Sequence, residues 1–198
     1  MNRMEAGLLT GENLFDFFHE RVGTAVLHQR APVGEGTVYY LSSLLAEQAR
    51  REDESDPVAE ATLVELQHRA ANAPMGEAVN LWRRLGDRAL LLTGFFREHL
   101  ERRRISPTYC ERMGSAAYRS LERILQIRGG GGSTVFDELA EQYHACVEVI
   151  GEVRDETRER NDTDIVRLSE EWLATGSPRV AERLRQLGLV PVRAAGNG

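Results

Sequence analysis

Two short motifs in the chain could hold a pair of metal ions. Glu65 and His68, and again Glu141 and His144, are spaced as Glu-x-x-His. On a helix this spacing sets a carboxylate and an imidazole one turn apart. Two such pairs, joined by one glutamate from each of two further helices, form the ligand set of a carboxylate-bridged di-iron or di-manganese centre. Glu47 and either Glu98 or Glu111 are available to complete it. The centre must face a bundle interior, and a helical wheel at about 100° per residue tests that. Val135, Leu139, Tyr143, Cys146, Ile150 and Val153 form one apolar stripe. Glu141 and His144 lie roughly 140° to 160° from its centre on the same wheel. On the preceding candidate helix Thr62, Leu63, Leu66 and Ala70 make the stripe, with His68 nearly opposite and Glu65 to the side. The pattern therefore predicts solvent-facing side chains, and the di-metal reading ranks as the weaker alternative.

Other reactive groups are dispersed. His19, His28 and His99 sit at the borders of apolar stripes, and no serine stands in a GxSxG elbow. The run Gly129 to Gly132 lacks the Lys-Ser/Thr of a phosphate-binding loop and follows a helical pattern where that loop needs a strand. Cys110 and Cys146 belong to no CxxC or Cys/His cluster and read as free buried thiols. Asp87 precedes an apolar run and reads as a helix cap after Gly86. Over residues 97–128 eight arginines face four glutamates. Arg102, Arg103 and Arg104, just before a helix start at Ser106, together with Arg112, are candidates for binding an acidic group. Tyr39, Tyr40, Tyr109 and Tyr118, with Phe95 and Phe96, are candidate walls of an interhelical pocket.

The elements that must position these residues are helices. Apolar residues recur at three and four, and no segment alternates as a strand would. Helices are predicted from Gly11 to Gln29, with Pro32 to Gly36 as a loop, and from Thr37 to Arg51. Asp56-Pro57 opens a third running to Ala71, because Asp caps and Pro is preorganised for the first helical position. Gly76 to Arg104 reads as one helix or two joined near Leu85-Gly86-Asp87, its stretch Ala89 to Phe96 apolar on nearly all sides. Gly94 within it costs about 1 kcal/mol of helix propensity relative to Ala, which close approach of a neighbour could offset. Ser106-Pro107 opens a helix to Ile127, and residues 128–133 form a flexible linker. The next helix runs from about Thr134 to Arg158. Residues 162–190 form a helical hairpin anchored by Trp172, and 191–198 are read as a disordered tail. The expected fold is an all-α single-domain bundle, residues 1–190, of seven or eight helices.

The chain has 198 residues, with 25 basic side chains, all arginine, against 31 acidic ones, a net charge of -6. At this length a domain buries roughly 70% of its unfolded surface, so folding requires neither disulfide nor metal. The negative balance argues against a nucleic-acid binder. No apolar run approaches the roughly 20 residues of a membrane span, and the start shows no secretory leader pattern. A cytoplasmic protein is expected.

The segment LGDRALLLTGFFREHLERRRISPTYCERMGSAAYRSL, residues 85–121, and the ending EEWLATGSPRVAERLRQLGLVPV, residues 170–192, carry a pattern of LGD, GFF, Tyr, MG and AY. This pattern resembles a family of bacterial helical proteins with no established activity. Where that pattern often has adjacent tyrosines, this chain has Tyr109-Cys110. The resemblance implies a helical domain of bacterial origin only, and no catalytic residue is carried over from it. The expected function is a non-enzymatic protein-interaction module with another protein, of acidic character, as its partner and no cofactor. A homo-oligomer is compatible with the sequence. The alternative is a small-molecule binder or enzyme with an aromatic-lined pocket.

Overall fold

The computed structural model describes residues 11–51, 62–129 and 134–186. The described residues fold without strands into nine helices: α1 (Gly11–Gln29), α2 (Glu35–Arg51), α3 (Leu63–Asn72), α4 (Met75–Gly94), α5 (Arg97–Arg102), α6 (Pro107–Ile127), α7 (Thr134–Glu141), α8 (Tyr143–Thr175) and α9 (Pro178–Gln186). The all-α expectation is met. The segment 134–158, expected as one helix, is divided between α7 and α8, and the segment 76–104, read as one helix or two, is two. The chain separates into two compact units between Val153 and Arg154.

The first unit has two apolar clusters that meet along α4 and α6, its most extensively paired helices. One gathers Val22, Leu41, Leu90, Leu121, Leu139 and Ile150 from α1, α2, α4, α6, α7 and the start of α8. The other joins Leu66 of α3, Leu85 of α4, Leu100 of α5 and Met113 of α6. Because α4 supplies both, its apolar residues run around most of its circumference, as a helix enclosed by neighbours requires. Gly94 is the point of closest approach. A Cβ there would lie 2.7 Å from Ile150 Cγ2 and 3.2 Å from the Val147 carbonyl, so the missing side chain lets α8 come against α4.

The break in the segment 76–104 falls at Gly94 to Phe96, not at 85–87. The Phe95 and Phe96 amides both donate to the Leu91 carbonyl, at 2.8 and 2.9 Å, which closes α4 before α5 begins. Gly86 and Asp87 lie inside α4. The expected opening of the third helix at Asp56-Pro57 lies outside the described residues, and α3 itself starts at Leu63. Its cap is a reciprocal box: the Thr62 amide donates to Glu65 Oε2 at 2.7 Å, and the Glu65 amide donates to Thr62 Oγ1 at 3.2 Å. Ser106-Pro107 opens α6 as expected, with Ser106 Oγ accepting from the Tyr109 amide. A distant carboxylate serves the start of α2: Glu138 Oε2 on α7 accepts from the Gly34 amide at 2.8 Å and from Thr37 Oγ1 at 2.7 Å.

Between α7 and α8 the bond pattern is interrupted at Gln142, yet the Gln142 amide still reaches the Glu138 carbonyl and the Cys146 amide reaches that of Gln142. The stripe therefore survives the break, with Leu139, Tyr143, Cys146, Ile150 and Val153 buried and Val135 half-buried. Helix α8 then runs on without the expected interruption between Arg158 and Asp162. No proline or glycine occurs between Gly151 and Gly176, and the intervening stretch is rich in Arg and Glu, which are good helix formers.

The second unit consists of the rest of α8 and α9. Gly176, at φ +64°, ends α8 with its amide on the Trp172 carbonyl at 2.7 Å, and Ser177-Pro178 opens α9. The expected C-terminal helix pair is thus the end of α8 followed by α9, not two new helices beginning at Asp162. Val180, Ala181 and Leu184 are buried, and Trp172 is half-buried rather than sealed. The expected linker residues 130–133, the tail and residues 187–190 of the hairpin lie outside the described residues. No helix among those described is long and apolar enough to cross a membrane.

Candidate functional site

The most unusual chemistry in the first unit is built around Asp87. Asp87 is half-buried in the middle of α4, where the expectation of a helix cap fails. Two tyrosine hydroxyls donate to the same oxygen: Tyr40 Oη to Asp87 Oδ1 at 2.6 Å, and Tyr118 Oη at 2.7 Å. One carboxylate thereby ties α2 and α6 to α4. Gly86 makes the arrangement possible, since a Cβ at that position would lie 2.6 Å from Tyr118 Cε1. Phe136 of α7 packs edge-on against Tyr40, with ring centres 5.4 Å apart, and stacks on Tyr118 at 6.0 Å. Among the described residues Asp87 Oδ2 accepts no hydrogen bond.

Burial pushes the Asp87 carboxyl up to about 6, against the lowering pull of the two hydroxyl donors and of Arg83, with Glu47 adding to the rise. The same burial, beside that carboxylate, holds Tyr40 and Tyr118 above the ordinary phenol range, so both remain donors at neutral pH. The group is thus a carboxyl that titrates in mildly acid solution. Its hydrogen-bonded oxygen is occupied from inside the fold, and the cluster contains no nucleophile.

A second tyrosine site lies nearby. Tyr143 Oη is the only buried side-chain oxygen or nitrogen among the described residues without a hydrogen-bond partner. It packs onto Gly114, in the space a Cβ would fill. The neighbouring Thr93 donates its hydroxyl to the carbonyls of Ala89 and Leu90. Cys110 and Cys146 are free and buried, and desolvation raises both thiols, Cys146 to about 12, which leaves them poor nucleophiles.

No protein-family model, curated protein or solved structure matches the chain.

The four metal candidates are not brought together into one interior site. Glu65 is the capping residue of α3, and it and His68 are exposed. Glu141 ends α7 and His144 belongs to α8, so that pair does not share a helix, and both are exposed. His144 Nδ1 instead lies 3.2 Å from Glu111 Oε2 at the surface. Among the described residues no group of three or more His, Cys, Asp or Glu side chains is placed to hold a metal ion.

The four tyrosine candidates also separate. Tyr40 and Tyr118 belong to the Asp87 cluster, whereas Tyr39 and Tyr109 are 60% and 49% exposed. Tyr39 lines an open depression of about 650 Å³ between α1 and α2, with Phe15, Asp16, Ser43, Ala46, Glu47 and Arg50. Arg102, Arg103, Arg104 and Arg112 are all exposed around the junction of α5 and α6. Sequence reasoning missed Asp87 as a partner for tyrosines. The available signal was Gly86, one residue before Asp87, which admits the Tyr118 ring against α4.

Proposed function

We propose that this protein is a non-enzymatic, cytoplasmic protein-interaction module of bacterial origin, a rigid helical scaffold that presents its surface to another protein. The observation that carries this reading is the double capture of Asp87 Oδ1 by Tyr40 and Tyr118. The most perturbed carboxyl in the described residues is employed in joining three helices, and no nucleophile or metal shell stands beside it. The residues behind the bacterial resemblance support the same reading. Gly86, Asp87, Gly94, Gly114 and Tyr118 all serve internal contacts. Affinity capture from extract of the source cell, with wild type and Asp87→Asn in parallel, tests it. Asp87→Asn keeps an oxygen acceptor for both tyrosines, so the same protein partner is expected with both. A turnover or a retained metabolite that disappears with Asp87→Asn overturns the reading.

The depression beside Tyr39 favours one second reading, a small-molecule site. Phe15 and Tyr39, with ring centres 4.9 Å apart, supply its aromatic surface, and Asp16 and Glu47 its acidic groups. Native mass spectrometry of the purified protein, with Tyr39→Ala as control, tests that alternative directly.

A further inference from the structure

The solvent-facing side of α6 is patterned in a way that packing does not explain. Its buried residues, Cys110, Met113, Gly114, Ala117, Tyr118 and Leu121, occupy one side of the helix. On the opposite side Tyr109, Arg112, Ala116, Arg119, Arg123 and Ile127 are all exposed. At about 100° per residue these six fall within an arc of about 80°. They form two adjacent rows. Arg112, Arg119 and Arg123 make a basic row, and Tyr109, Ala116 and Ile127 an apolar one. Ile127 is 71% exposed and Tyr109 49%. From Tyr109 to Ile127 the ridge is about 27 Å long at about 1.5 Å per residue.

The basic row is uncompensated. Among the described residues the side chains of Arg112, Arg119 and Arg123 make no hydrogen bond or ion pair, and neither do those of Arg102, Arg103 and Arg104, which precede the helix. The glutamates of this region are otherwise engaged: Glu101 with Arg97 at 3.8 Å, Glu111 with His144, and Glu122 buried beneath the helix. In a chain with 31 acidic side chains and a net charge of -6, a helix face of unpaired arginines stands out. Arginine left without an internal carboxylate retains its planar donor fork for an external one.

We infer that the exposed ridge of α6 is a docking surface for an acidic amphipathic helix, one row of whose carboxylates meets Arg112, Arg119 and Arg123 while a neighbouring apolar row covers Tyr109, Ala116 and Ile127. This inference rests on the interaction-module reading and names its surface and partner chemistry. The apolar row selects a peptide over a nucleic acid or free phosphate, because a sugar-phosphate backbone leaves Tyr109 and Ile127 uncovered. The arginine row excludes a second copy packed α6 to α6, which would set like charges face to face.

The test uses the full chain and a fluorescein-labelled synthetic helix of about 18 residues, long enough at about 1.5 Å per residue to span the ridge. Glutamates occupy one row of the probe and leucines the next. A second probe has every glutamate replaced by glutamine, and a third is single-stranded RNA. Two variants of equal net charge are compared: Arg112→Glu with Arg119→Glu on the ridge, and Arg30→Glu with Arg69→Glu elsewhere on the surface. All four positions are exposed, and circular dichroism verifies folding. The acidic probe is expected to bind wild type at least about tenfold more tightly than the glutamine probe, and more weakly as salt shortens the range of charge attraction. The ridge variant is expected to lose about tenfold or more, while the control stays within about twofold. Equal losses in both variants, tighter binding of RNA than of the acidic helix, or no binding of the acidic probe to wild type would each overturn the assignment. A natural partner captured equally by wild type and the ridge variant also overturns it and leaves the module reading intact.

Discussion

Between about pH 4 and pH 6 the folded chain holds a proton on Asp87 that the unfolded chain has released, because burial raises the carboxyl from its ordinary 3.8 to about 6. The native state binds more protons than the unfolded state in this window, so the contribution of Asp87 to stability falls as pH rises through it. Above pH 6 the loss is complete, up to about 3 kcal/mol for a shift of about two pH units. Asp87→Asn stays neutral at every pH and preserves an oxygen acceptor for Tyr40 and Tyr118. The variant is therefore expected to be more stable than wild type at pH 7, with the gap closing toward pH 4. Urea midpoints of both proteins at pH 4, 5, 6 and 7 check this, since the other carboxylates cancel in the comparison. A gap that stays constant would show that Asp87 titrates as an ordinary aspartate. Tyr118→Phe removes one donor that lowers the Asp87 pKa, so it should move the inflection of the wild-type curve to higher pH.

Helix α4 meets its neighbours through glycines, and their replacement separates propensity from packing. Alanine in place of Gly94, the last residue of α4, gains at most about 1 kcal/mol of intrinsic helix propensity. It also drives a methyl to within 2.7 Å of Ile150 and 3.2 Å of the Val147 carbonyl, and the second of these is backbone that cannot swing aside. Overpacking of this kind typically costs about 1 to 3 kcal/mol, so Gly94→Ala should be destabilising in net despite the better propensity. At Gly76, also in α4, a methyl would meet nothing within 4 Å, and Gly76→Ala should be neutral or stabilising. Thermal midpoints of the two variants check the contrast. On α2 the cap comes from another element, because Glu138 of α7 receives the Gly34 amide and the Thr37 hydroxyl. Glu138→Ala should therefore cost about 0.5 to 2 kcal/mol, the range for loss of a helix cap.

At the scale of the chain, the division between Val153 and Arg154 places both apolar clusters within the first unit. A fragment ending at residue 160 retains every residue of those clusters. It is expected to unfold cooperatively in urea and to keep the pH dependence set by Asp87. A fragment with helical circular dichroism but no cooperative transition would refute this. Trp172 belongs to the second unit, where its ring is half-buried. Trp172→Ala should consequently lose less than the about 3 to 5 kcal/mol of a fully buried ring.

Helix type and several boundaries were legible in the sequence because their causes are local. Ser106-Pro107 presets the first turn of α6, Gly176 accepts the positive φ that ends α8, and the stripe from Leu139 to Val153 follows from spacing alone. The exposure of Glu141 and His144 was legible for the same reason, as the side of the helix opposite that stripe. What the sequence could not decide depended on partners far along the chain. Asp87 next to Gly86 has the local appearance of a cap, and only the folding of α2 and α6 onto α4 places hydroxyls from 47 residues before and 31 residues after it on one oxygen. The division of the segment 76–104 after Gly94, where the Phe95 and Phe96 amides both turn to the Leu91 carbonyl, was likewise not legible in the spacing. Periodicity assigns a residue to a face of its own helix, whereas the identity of what meets that face is fixed by tertiary packing. The sequence therefore determined the helices and their faces, and the tertiary structure determined that Tyr40 and Tyr118 close on Asp87 while the arginines of α6 remain facing water.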